Sequence, residues 1–349
     1  MERKIDCFGM LDLMMRPGFC VKNTEIVHVN PAAQAFLLTV GTDIQTLLLT
    51  GQEEYRAFTD GCLYVKLALS AGSCGACVVC WEDQHVFLLD LEEDEAVLRV
   101  LALAARELRE PLTSMMLCSD HMYSSESDPD ASARMNRSIH QMLRLLGNMS
   151  DAGHSISVSR QETLDIAALL AEIFEKAQTL TEQTGLTLRY QGLPGEVLGL
   201  ADGQQIERAV LNILSNAIKF TPKGGTIDAA LTRHGKMLRL SITDSGSGIA
   251  EGILRNVFCR YLRQPGIEDS RFGLGLGMVL VRAAAANHGG TVLIDQPSGK
   301  GTRVTLTLAI RQSTETTLRS PVMRIDYAGE RDHGLVELSD SLPLAAYQK

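Results

Sequence analysis

The chain lacks any apolar run of about 18 residues, so no membrane-spanning helix is expected. Its first residues, Met1-Glu2-Arg3-Lys4-Ile5-Asp6, lack a long apolar stretch followed by a small-residue cleavage site, which argues against a signal peptide. It lacks an excess of basic charge. The formal net charge is −9, and general nucleic-acid affinity requires Lys and Arg to neutralise phosphates. Internal repeats and low-complexity tracts are also missing. What remains is ordinary for a folded protein: 349 residues, 45% hydrophobic and 21% charged, enough for two or three domains. The eight cysteines of such a chain are expected to be reduced thiols. Cys74, Cys77 and Cys80 have metal-like spacing, but no fourth ligand follows, and a buried strand using Cys as a small apolar residue is the better reading.

Four segments emerge. Residues 1–90 alternate short apolar runs with turns. Gly18 to Asn23 and Glu25 to Asn30 read as two strands, followed by a helix from Pro31. Cys62 to Leu69 and Ala76 to Leu89 read as later strands. Residues 91–153 read as two helices around the polar turn Ser124 to Asp130. The first has an apolar seam through Val97, Leu101, Ala104, Leu108, Pro111, Met115, Cys118 and Met122. The second runs through Met135, Ile139, Met142, Leu146 and Met149. A hairpin with two narrow seams is completed by a second copy, as a dimeric four-helix bundle. Residues 162–310 read as an α/β domain. Residues 311–349 read as a polar tail, with one short helix over Asp332 to Leu338 and no chemistry.

Four motifs follow in one order. In Asn212-Ile213-Leu214-Ser215-Asn216-Ala217-Ile218-Lys219, the residues Asn212, Asn216 and Lys219 fall near one helix face. An amide oxygen suits Mg²⁺, and Lys supplies charge for phosphate. Asp244-Ser245-Gly246-Ser247-Gly248 follows an apolar strand. Its carboxylate can accept a hydrogen bond from an adenine amino group, and Gly246 and Gly248 allow close backbone approach. Phe272-Gly273-Leu274-Gly275-Leu276-Gly277 opens a helix, where amides and the dipole favour phosphate. Gly299-Lys300-Gly301-Thr302 leads into an alternating strand. Each motif alone is weak; a lone Ser-Gly or Gly-rich turn is common.

Together the four resemble the N, G1, G2 and G3 boxes of the sensor histidine kinase ATPase domain, the Bergerat (GHKL) fold. Val257 to Arg263 resembles that family's F box on the lid. Ala105-Arg106-Glu107-Leu108-Arg109-Glu110-Pro111-Leu112-Thr113 resembles its phosphoacceptor box, with Arg106 in the place of the histidine. Val29-Asn30-Pro31-Ala32-Ala33 is similar to the second strand and first helix of PAS sensor domains. The resemblance implies a multidomain α+β chain. A PAS-like domain occupies residues 1–90, a HisKA-like dimerisation hairpin 91–153 and a Bergerat-fold α/β sandwich 162–310. Residues 311–349 are a tail.

The resemblance also implies ATP and Mg²⁺ as cofactors. Asn216 would be the metal ligand with Asn212 nearby, and Asp244 would read adenine. Lys219, Gly273, Gly275 and Gly277 would hold phosphates, with Arg260 and Arg263 reaching from the lid. Gly246, Gly248 and Thr302 would complete the pocket. Glu107 is the acid/base position by family. The implied partners are a second copy of the chain and the receiver domain of a response regulator. Most members are membrane-anchored, whereas this chain is expected to be cytoplasmic.

Three positions depart from the pattern: Arg271 replaces a glycine, Cys259 the F-box Glu, and Glu110 the Thr or Asn that positions water. Arg106 departs most. A phosphoacceptor needs a lone pair, and guanidinium offers none at any ordinary pH. His121 lies fifteen residues on, about 22 Å along a helix. His140, outside the seam, reads as solvent-facing. A degenerate kinase is therefore expected. The alternatives are an ATP-gated binding module that partners a receiver or an intact kinase, or a kinase acting on another residue.

Overall fold

In the computed structural model, residues 7–14, 16–70, 72–90, 112, 129–154, 161–249, 277–297, 300–311 and 332–348 are described. The expected first hairpin helix, apart from Leu112, lies outside them, and with it Arg106 and Glu107. So do Arg260 and Arg263, expected on a lid, and Gly273 and Gly275.

Alternating runs of Val, Ile, Leu and Phe make the N-terminal sheet. Strands β1 (Gly18–Lys22) and β2 (Glu25–Val29) form a hairpin around Asn23 and Thr24, both at positive φ. They coincide with the two strands read from the sequence. Asn30 then caps the 3-10 turn Pro31–Phe36 by accepting the Ala33 amide. Strands β3 (Leu48–Thr50), β4 (Cys62–Leu69), β5 (Gly72–Trp81) and β6 (Gln84–Leu89) complete the layer. The stretch expected as one strand, Ala76 to Leu89, is interrupted: Glu82 turns at φ 54° and folds β6 back on β5. One face buries Phe19, Ile26, Ile44, Tyr55 and Phe87, with the Phe19 and Phe87 rings stacked at 4.7 Å. Such a pair adds about 1 kcal/mol beyond its buried area.

Strand periodicity also decides the cysteine cluster. Side chains three residues apart on β5 point to opposite faces. Cys77 joins one core and Cys74 and Cys80 pack on the other, so the three do not converge. Among the described residues, no group of three His, Cys, Asp or Glu is placed to hold a metal ion.

The C-terminal half is a mixed α+β layer. Strands β7 (Glu162–Asp165) and β9 (Leu198–Ala201) form a small ribbon. Strands β8 (Thr187–Gln191), β10 (Thr226–His234), β11 (Met237–Asp244), β12 (Val292–Asp295) and β13 (Thr302–Ala309) form the main sheet. Its order is β12-β13-β11-β10-β8, with β10 and β8 parallel. The two halves join edge to edge. Strand β12 pairs antiparallel with β4, Val292 opposite Tyr64 and Ile294 opposite Cys62, which makes one eleven-stranded sheet. Gly61, at φ +100°, permits this junction, because a Cβ there would collide with the Ile294 carbonyl.

Helices α1 (Cys7–Asp12) and α2 (Gln52–Arg56) belong to the N-terminal layer. Helices α3 (Pro129–His154), α4 (Ile166–Glu182), α5 (Gly203–Phe220) and α6 (Gly277–Asn287) follow in chain order. Asp165 caps α4 and Asp202 caps α5, each accepting amides of the first turn. No described helix is long and apolar enough to cross a membrane.

Two expectations are corrected here. Residues 332–348 of the expected polar tail are folded: Asp332 caps α7 (His333–Glu337), and Leu338, Leu342 and Tyr347 enter the main core. His140 is buried, not solvent-facing, with its ring 5.3 Å from that of Tyr347. Helix α3 is covered on the His140 side by the C-terminal segment, which its own periodicity does not reveal.

Candidate functional site

Helix α5 carries the first motif. Ile206, Ala209, Val210, Ile213, Leu214 and Ala217 recur at helical spacing and are buried, which fixes the helix on the sheet. Thr221 ends it at extended dihedrals, its hydroxyl bonded to the Ala217 carbonyl, and Pro222 prevents continuation. Asn216 and Lys219 on the opposite side are half-buried. Lys219 sits in the last turn, where a cation complements the helix dipole, with its ammonium 5.7 Å from the Phe220 ring centroid.

Asp244 ends β11. Its Oδ1 accepts the amides of Gly246 at 2.8 Å and Thr302 at 3.2 Å. Burial raises its pKa above the usual carboxylate value, and those two amide donors oppose the rise. The fourth motif closes on the second: the Gly301 amide donates to the Gly246 carbonyl at 3.0 Å. Gly301 turns at φ +73° against the Asp244 carbonyl, where a Cβ would not fit. Gly246 in turn packs against the Phe220 carbonyl at the end of α5. Gly248, at φ +77°, lies beside Gln296, which donates to the Ile249 carbonyl at 2.5 Å.

Gly277 begins α6, where the first-turn amides have no partner within the helix and the dipole has its positive end. It abuts the Asn212 amide: a Cβ on Gly277 would lie 2.8 Å from Asn212 Oδ1. The structure therefore brings Asn212, Asn216, Lys219, Asp244, Gly246, Gly248, Gly277 and Thr302 into one region of α5, the β11 turn, the start of α6 and the start of β13.

Asn212 is more enclosed than Asn216 and Lys219. It is buried, its amide donates to the Arg208 carbonyl at 2.9 Å, and it faces Arg144 and Glu337, each at 3.5 Å. It lies under Gly277, at helical spacing with Asn216 and Lys219, but enclosed where those two are half-buried.

Sequence reasoning missed Glu337. Fully buried, it accepts from Arg208 Nε at 3.0 Å. A lone acid within Leu335-Val336-Glu337-Leu338 is the signal that marks it. His288 was also missed. Its Nε2 accepts the Asp202 amide at 2.9 Å, which requires Nδ1–H to donate to the Ala284 carbonyl at 2.7 Å. The ring is thus neutral, and burial holds its pKa below the usual histidine value.

The helix bearing Asn216 and Lys219, the carboxylate held at a strand end and the helix that begins at Gly277 thus lie together in one α+β domain. Residues 201–312 match the family model of histidine kinase-, DNA gyrase B- and HSP90-like ATPases. Histidine protein kinase DivJ of Caulobacter vibrioides is 32% identical over 222 residues, covering 61% of this chain and 37% of that protein. A sensor-like histidine kinase of Rhizobium meliloti, R01002, is 31% identical over 275 residues, covering 71% of this chain and 51% of that protein. The crystal structure of full-length ShkA in complex with AMPPNP shares the fold, with 21% identity and a TM-score of 0.50 over 61% of this chain and 46% of that one. The chain thus spans about half or less of the length of these relatives. These likenesses support a sensor histidine kinase family and an ATP-binding domain.

Proposed function

We propose that the chain binds Mg-ATP as a sensor histidine kinase-type signalling protein that has lost standard autophosphorylation. The observation that carries the binding is Asp244. Its carboxylate is fixed at a strand end by two amides, beside the helix bearing Asn216 and Lys219. A half-buried acceptor at that point suits an exocyclic amino group of adenine. Asn216 would supply an amide oxygen to Mg²⁺, a hard cation that takes such ligands. Lys219, the α6 amides beginning at Gly277, and Arg260 and Arg263 would hold the phosphates.

The loss of autophosphorylation rests on Arg106. A guanidinium has no lone pair to attack a γ-phosphoryl group, and Glu107 is left without the imidazole it would assist. Arg106 can instead bind a phosphate or carboxylate bidentately. The same reading makes residues 1–90 a PAS-like sensor, supported by the strand order β2-β1-β6-β5-β4. It makes the hairpin a dimerisation element, and a receiver domain the partner. Of the expected seam on its second helix, Ile139 and Leu146 are buried within the single chain, and Met135 and Met142 remain exposed for a second copy.

Calorimetric titration with Mg-ATP tests the binding. The expected outcome is saturable binding that weakens at least tenfold in Asn216→Ala and in EDTA. Equal affinity with and without Mg²⁺ and Asn216 contradicts it.

A further inference from the structure

The C-terminal segment connects two parts of the chain that are remote in sequence. Glu337 of α7 has no exposed surface, and both its carboxylate oxygens are engaged. Oε1 takes Arg208 Nε of α5 at 3.0 Å, and Oε2 lies 3.5 Å from Arg144 Nε of α3. A buried carboxylate is tolerated only when paired in this way. The next turn extends the contact on both sides. Asp340 accepts from Arg144 Nη1 at 2.6 Å, and Ser341 donates to the Ser215 carbonyl of α5 at 2.9 Å. The Ser339 carbonyl takes Arg137 Nε at 3.1 Å and the Tyr347 carbonyl takes Asn136 at 3.2 Å, both from α3. Val336 seals the apolar side against Ile139 and Leu143. The segment is thus held by helix α3 on one side and the motif helix α5 on the other.

Helix α7 has five residues, too few to be stable alone in water. Its folded form therefore depends on docking. We propose that residues 332–348 are a releasable clasp that seats helix α3 on the nucleotide-binding domain and sets how freely the two move against each other. Ser215, which takes the clasp, precedes Asn216 directly. Arg144 and Glu337 both reach Asn212, which abuts Gly277 at the start of α6. Clasp closure and occupation of the nucleotide site are then linked, each favouring or opposing the other by the same factor. This linkage rests on the nucleotide-binding reading; the clasp itself does not.

The test uses the whole 349-residue chain without nucleotide, followed by amide hydrogen exchange. Glu337→Gln keeps the shape of the side chain and removes its charge. The expected result is about tenfold faster exchange over residues 133–148 with β10 and β11 unchanged, the mark of a local opening. A second pair of measurements covers the case in which that variant fails to fold. Ser215 and Ser341 hydroxyls lie 3.1 Å apart, so Ser215→Cys with Ser341→Cys should cross-link under mild oxidation, mapped by peptide mass. The oxidised form should exchange more slowly over residues 133–148 than the same protein after reduction. Equal exchange in the locked and reduced forms overturns the proposal, as does a folded double-cysteine chain that does not cross-link. Because no nucleotide is present, failure to bind Mg-ATP leaves this result readable.

Discussion

The Arg282 guanidinium of α6 meets the Asp90 carboxylate at 2.9 Å and lies 4.9 Å over the Tyr64 ring of β4. Asp90 follows β6 at the end of the N-terminal layer, and α6 begins at Gly277. One ion pair therefore ties the N-terminal sheet to the helix that begins at Gly277, the start proposed above to hold phosphates. Arg16 and the Tyr64 hydroxyl complete the set around Asp90, at 3.1 and 3.3 Å. Arg282 is nearly buried, so the pair is screened less than a surface one. A double-mutant cycle of Asp90→Asn and Arg282→Met is expected to give a coupling of about 1–2 kcal/mol in urea unfolding. Additive effects would contradict this.

The junction between the halves depends on Gly61. Gly61→Ala forces a Cβ into the Ile294 carbonyl at a backbone angle that suits glycine. The expected loss is about 3 kcal/mol, from strain and overpacking together. Amide exchange of Val292 to Ile294 should accelerate, since their partners lie on β4.

Asp244→Asn separates binding from folding. Burial raises the carboxyl's pKa, so the ionised form carries a cost at neutral pH that the neutral amide avoids. The amide oxygen still accepts the Gly246 and Thr302 amides, which turns the NH₂ group toward the ligand. A donor then meets the adenine amino donor. Thermal stability is expected to hold while Mg-ATP affinity falls by at least about tenfold.

His288 makes stability pH-dependent. Its folded pKa is depressed below the unfolded value of about 6.5. In the window between the two, the unfolded chain binds more protons. Stability is then full above about 6.5 and falls as pH drops through the folded value. His85, whose pKa burial also lowers, acts in the same direction. Urea midpoints between about pH 7 and pH 5 should decline in the wild type, and less steeply in His288→Gln.

Much of the site was legible because its chemistry sits at fixed backbone positions. Asp244 must end a strand, Gly301 must turn at positive φ, and Asn216 must follow an apolar helical face. These constraints are local and leave marks in short stretches of sequence. The clasp left little mark. Glu337 and Arg208 are 129 residues apart, and nothing in either neighbourhood names the other. His140 was misread for the same reason: helical periodicity gives faces, while the element that covers a second face lies elsewhere in the chain. The β4–β12 pairing likewise joins strands whose patterns are complete without each other. Arg106 is legible as a substitution from sequence alone.

The account turns on nucleotide binding without histidine phosphorylation. The most direct measurement is incubation of the 349-residue chain with γ-labelled Mg-ATP, beside Asn216→Ala, at a concentration that saturates binding, with any label tested for acid lability. The account predicts saturable nucleotide binding and no acid-labile label on the wild-type chain. Acid-labile label that disappears in Asn216→Ala would contradict it, and would mean that another histidine serves in place of Arg106.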